Sequence, residues 1–112
     1  MALYMSEFGY EPEVWAALIK SPENRTETVS RLLEDAGCKL KGLWYAFGEG
    51  DGFALIEAPD TVTAAGLAIA ISASGAFRKF ETTVLMTQDE LLEALEKAQD
   101  VAYVAPAAAV HA

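Results

Sequence analysis

The groups in this chain best suited to proton transfer or polar recognition gather around a short glycine-rich segment. Gly48-Glu49-Gly50-Asp51-Gly52 sits between the apolar runs WYAF and FALIEA. Asp51, at a strand end and close to aromatic residues, is a candidate acid or base, because desolvation would raise its proton affinity toward neutral pH. The same five residues also read as a hairpin turn: Gly48, Gly50 and Gly52 can take positive φ, and Asp forms turns through its own backbone hydrogen bonds. A phosphate cradle is disfavoured, since the segment leads into a strand rather than a helix N-terminus and carries two negative charges.

Five further positions carry alternatives of the same kind. Arg25, near a helix start, is a poor partner for the positive end of the helix dipole. It either pairs with Glu23, Asp51 or Asp60, or binds an anionic or enolic oxygen of a ligand. Glu7 is an edge charge, or a second acid/base candidate pointing under the helices into a cavity, where it needs a partner such as Arg25, Arg78 or a tyrosine hydroxyl. Tyr4, Trp15 and Tyr45 line that cavity or belong to the core. Cys38 follows a helix C-terminus, which does nothing to lower its pKa, so it reads as a structural thiol. His111 is the only histidine, and it lies in the alanine-rich tail. Zinc, non-haem iron and histidine-ligated haem sites therefore lack their usual ligands, and no nucleotide or hydrolase motif is present. No metal and no cofactor are expected.

Composition narrows the partners. A chain of 112 residues holds one domain, with an ordered part over 1–104 and a disordered tail over 105–112. A formal charge of −9 repels nucleic acid and anionic membranes at long range, so neither is expected as a partner. A single cysteine and no leader-like stretch point to the cytoplasm. Residues 61 to 77 carry no charge, yet the run is shorter than a spanning helix and dotted with Ser, Thr and Gly. A buried helix explains it.

The elements that must position these side chains follow from periodicity and punctuation. Residues 2 to 10 alternate as a strand, with Tyr4, Ser6, Phe8 and Tyr10 on one side and Leu3, Met5, Glu7 and Gly9 on the other. Pro12 opens a short helix with Val14, Trp15, Leu18 and Ile19 on one stripe. Ser21 before Pro22 reads as the cap of a second helix that runs to Gly37. Strands are expected over 39–48, 52–58 and 76–86, and a helix over 61–74 capped by Asp60. The TQDE run of 87–90 is a capping box for a final amphipathic helix with Leu91, Leu92 and Leu95.

This order predicts an α+β fold: a ferredoxin-like four-stranded antiparallel sheet with its helices on one face, and an extra C-terminal helix. The opposite face is left bare. With Phe8, Tyr10 and one set of the aromatics of 44–47 on it, that face is too apolar to stay in water. Two copies packed sheet to sheet would cover it, so a homodimer is expected.

Several segments together resemble GYD-domain proteins: Tyr10, Pro12, Glu13, Trp15 to Lys20, Pro22, Glu23 and Arg25; the glycine-acid-glycine pattern after WYAFG; EAPD at 57–60; and Lys79 with Thr82 and Thr83. The likeness runs over roughly residues 3 to 104. It implies a ferredoxin-like unit that dimerises into an α+β barrel, and it implies no settled activity. One departure is that Gly50 stands where the family's motif has tyrosine before Asp51. Three functions are expected in order: a domain binding a small organic ligand in an apolar cavity; a cofactor-independent monooxygenase or isomerase using a pocket carboxylate; and a structural oligomerisation module.

Overall fold

Strand β1 (Ala2–Tyr10) occupies the middle of the sheet, paired antiparallel with β3 (Gly52–Ala58) on one side and β4 (Phe77–Leu85) on the other. Strand β2 (Lys39–Tyr45) pairs with β3, which gives the order β2-β3-β1-β4. Helices α1 (Pro12–Lys20) and α2 (Arg25–Asp35) connect β1 to β2, α3 (Thr61–Ala73) connects β3 to β4, and α4 (Gln88–Ala98) follows. The computed structural model describes residues 1–107. It is an α+β domain with a ferredoxin-like antiparallel sheet. The residues 108–112 of the expected tail, with His111, lie outside the described residues.

Local chemistry explains most of the boundaries. Asp60 accepts from the Thr63 N–H at 2.7 Å and starts α3. Thr87 and Glu90 form a reciprocal capping box at 3.1 and 2.8 Å and start α4. Gly37 and Gly75, both at φ of +81°, end α2 and α3 in the left-handed region that glycine tolerates. The start of α2 differs from expectation. Asn24 caps it by accepting from the Thr26 N–H at 2.9 Å, while the Ser21 N–H closes α1 on the Ala17 carbonyl at 2.9 Å. Ser21 therefore ends α1, and the second helix begins at Arg25 and not Pro22.

The two faces of the sheet are sorted by the alternation along β1. Tyr4, Ser6, Phe8 and Tyr10 are buried; the first three stand opposite Ile56, Ala54 and Gly52 of β3, and Tyr10 stands opposite Phe77 of β4. Tyr4, Ala54 and Ile56 join Leu33, Cys38, Ala58 and Ala64 in the core beneath the helices. Phe8 and Tyr10 therefore lie under the helices, which corrects their expected place on the bare face. The bare face instead carries Leu3, Met5, Phe53, Leu55 and Leu85, with Trp44 folded over Gly42 and charges at its edges. Glu7 belongs to this face too, paired with Lys79 at 3.4 Å.

Only Gly37 and Gly75 have positive φ among the described residues, so Gly48, Gly50 and Gly52 are not there for left-handed backbone. Gly52 is required for another reason. A Cβ on it would collide with Cζ of Phe8 and stand 2.7 Å from the Trp44 carbonyl oxygen, so the Phe8 ring covers this residue as it would a missing side chain. At Gly50 a Cβ would meet the Glu7 carboxylate, on the bare side of the sheet. A larger residue at position 50 would therefore displace Glu7 from Lys79 and leave the space under the helices unchanged. Nothing stands near Gly48. Gly52→Ala should accordingly cost about 1–3 kcal/mol in urea denaturation, as overpacking against a ring and a carbonyl does, whereas Gly48→Ala should leave the midpoint within error of the parent.

Candidate functional site

A cleft of about 570 Å³ opens between the sheet and the three helices α1 to α3. Its floor is the helix-facing side of the sheet, from Phe8 and Tyr10 through Ala54 and Ile56 to Leu43, Tyr45 and Phe80. Val14 and Leu18 of α1, Val29 and Leu33 of α2, and Leu67 and Ile71 of α3 supply the opposite wall. A second concavity of about 580 Å³, on the outer side of α2, is lined by Asn24, Thr26, Glu27, Ser30, Arg31 and Glu34. That one is a polar groove open to solvent.

Aromatic rings dominate one end of the cleft. Phe8 meets Tyr10 at 5.3 Å, Tyr45 edge-on at 5.7 Å and Phe77 edge-on at 5.8 Å between centroids, within the range in which such pairs add to simple burial. Trp15 closes the group from α1, edge-on to Tyr10 at 5.2 Å. The polar groups of this end are few. The Tyr10 and Tyr45 hydroxyls share a hydrogen bond at 3.0 Å, so one of the two protons is left for another acceptor. Desolvation by the surrounding rings, ahead of the bond to Tyr10, pushes the Tyr45 phenol well above its ordinary value, and it stays a donor at every physiological pH. Arg25 lies on the rim, 3.2 Å from Glu23, with both side chains partly in water. An ion pair of that exposure is held by about 0–1 kcal/mol and is readily exchanged for another anion.

Asp51 occupies the junction of three segments. Its Oδ2 accepts from the Tyr10 backbone N–H at 2.8 Å and from the Trp15 indole at 3.3 Å. Its Oδ1 accepts from Arg78 at 3.1 Å, and the Arg78 guanidinium also donates to the Glu49 carbonyl. Arg78 reaches this position by lying across Gly9, where a Cβ would collide with it. The carboxylate is 17% exposed. Desolvation by itself would raise its pKa, but the Tyr10 and Trp15 hydrogen bonds and the Arg78 charge outweigh that and hold it below the usual carboxylate range. The direction is opposite to the one that acid or base work at neutral pH requires.

The remaining expected site residues are dispersed. Glu7 faces the bare side of the sheet, away from the cleft, with its carboxylate against Gly50 and Lys79. Tyr4 is buried in the core beside Leu33 and Ile56. Tyr45 and Arg25 line the cleft, and Trp15 leans over its aromatic end from outside, 37% exposed. Gly50 and Gly52 pack against Glu7 and Phe8, and Gly48 against nothing. Tyr10, Phe77, Phe80 and Arg78 were missed as site residues. For Tyr10 the signal was there, because it falls on the alternate set that excludes the charged residue of its strand. Among the described residues no three of His, Cys, Asp and Glu are grouped to hold a metal ion, and no helix is long and apolar enough to cross a membrane.

Because the Asp51 carboxylate is favoured in its charged form in the folded chain, its contribution is present above about pH 4, the unfolded value, and is lost as pH falls through the lower folded value. Asp51→Asn should therefore destabilise the protein by about 1–2 kcal/mol at pH 7, as loss of hydrogen bonds to a charged group does. The difference from the parent should shrink toward zero near pH 2. Denaturation curves across that range measure it.

Residues 4–95 match the family model of the GYD domain. No curated protein and no solved structure matches the chain. With the match covering most of the sequence, and a ferredoxin-like sheet carrying it, the chain belongs to the GYD domain family.

Proposed function

We propose that this protein binds a small, mostly apolar organic molecule in the cleft between sheet and helices, and that it does so as a cytoplasmic homodimer. The observation that carries the first part is the polarity of the cleft. A long aliphatic and aromatic wall ends in one phenol pair and one loosely held guanidinium, the composition by which ligand pockets take up apolar bodies and orient them by a single polar group. The volume lies within the range of such sites. A guest with a planar apolar body and one carboxylate or acidic hydroxyl would place that group near Tyr45 and Arg25, displacing Glu23. No metal or cofactor enters this reading.

The catalytic alternative is less well supported. Asp51 has both oxygens engaged, Glu7 lies on the other face, and Glu23, the carboxylate on the cleft lining, is paired with Arg25. The dimer is supported by the bare face, where Leu3, Met5, Phe53 and Leu55 form an apolar centre that a second sheet can cover at about 10 Å. Cys38, a buried free thiol, suits a reducing compartment.

2-Naphthoate serves as a probe, read by quenching of Trp15 fluorescence in a chain whose Trp44 is replaced by Phe. Saturable binding should weaken about tenfold in Arg25→Ala, and by more than that in Ile71→Phe, which fills part of the cleft without adding a tryptophan. Absence of saturable binding to the parent, or equal binding by the filled variant, removes the ligand reading. Separately, Leu55→Glu should convert a dimer to a monomer in light scattering at micromolar concentration, because it puts an unpaired charge at the centre of the sheet face.

A further inference from the structure

Helix α4 is fully formed and has nothing to pack on. It carries a complete capping box, contains no buried residue, and exposes Leu91, Leu92 and Leu95 at 36, 52 and 53%. The molecule measures 58 × 32 × 22 Å with a radius of gyration of 18.4 Å, where a compact chain of this length has about 13 Å. The excess is an arm. Along α4 the leucines fall on one stripe, and Asp89, Glu90, Glu93 and Glu96 occupy the rest of the surface against a single Lys97. Glu96 and Asp89, seven residues apart, border the stripe on the Leu92 side.

The opposite edge of the sheet has the complementary charge. Strand β2 ends the sheet and exposes Lys39 and Lys41, neither of which is in an ion pair among the described residues. Lysines on an edge discourage addition of another strand, which suits an edge whose partner is a helix. Stacking two sheets about a two-fold axis that runs along the strands reverses the order of the second sheet. The edge strand β4 of each copy, and the arm that follows it, then stand beside β2 of the other. The alternative in-plane axis sets β4 beside β4 and brings two acidic arms together.

We propose that α4 is an exchanged arm: in the homodimer, α4 of each copy lies along edge strand β2 of the second copy, its leucine stripe covered and its acidic border facing Lys39 and Lys41. This rests on the face-to-face dimer proposed above and is independent of ligand binding. The test is a charge swap in the full chain. Lys39→Glu with Lys41→Glu in one chain, and Asp89→Lys with Glu96→Lys in another, should each weaken self-association about tenfold in sedimentation equilibrium. An equimolar mixture should recover the parent affinity, because both contacts in the mixed dimer are again opposite in sign. Parent-like association of either variant alone, or failure of the mixture to recover, overturns the arm contact while leaving the sheet pairing in place. A monomeric parent overturns both, and a parent dimer abolished by Leu55→Glu but indifferent to the swaps overturns the arm alone.

Discussion

A carboxylate on the central strand cannot be buried beneath apolar helices without a cation and hydrogen bonds to match its lost hydration. Glu7 meets this constraint by facing the uncovered side of the sheet, where Lys79 is within reach. Strand alternation then leaves no choice for its neighbours, and Tyr4, Ser6, Phe8 and Tyr10 go under the helices. The polar member of that set, Ser6, is satisfied by Thr82 at 3.0 Å. The aromatic content of the cleft thus follows from where one charge is allowed to be.

The second organising group is Asp51, which ties the end of β1, helix α1 and strand β4 to the β2–β3 connection through one carboxylate. Its acceptors are consumed by structure. The consequence for chemistry is a separation of roles: the groups that can still exchange partners, Tyr10, Tyr45 and Arg25, are neutral donors or a cation, and they sit around an apolar volume. Recognition of a molecule with one acidic group suits that set better than proton abstraction does.

Much of this was legible in the chain. Proline, glycine and hydroxyl or carboxylate caps marked most element ends within a residue or two, and the alternation of β1 separated its two sides. The orientation of those sides was harder, because both carry large apolar residues, Leu3 and Met5 against Phe8 and Tyr10. The charge of Glu7 was the deciding mark. The Asn24 cap was hidden behind a Ser-Pro pair that satisfies the same rule. Arg78 could not be placed, since its reach to Asp51 depends on a bulge between Gly9 and Tyr10 and on the bare Cα over which it passes. The glycines around Asp51 looked like turn formers, and two of them prove to be contact surfaces for Glu7 and Phe8.

Helix α1 has no buried residue, and its side chains reach the body through the Trp15 indole and the partly covered Val14 and Leu18. Its backbone adds one bond at its start, from the Glu11 N–H to the Ala76 carbonyl. Swinging it outward would disturb neither the ladder of the sheet nor the cluster around Leu33, so this is the wall of the cleft whose displacement costs least. A molecule too large for the cleft as it stands would find its door here, and the latch would be the tryptophan.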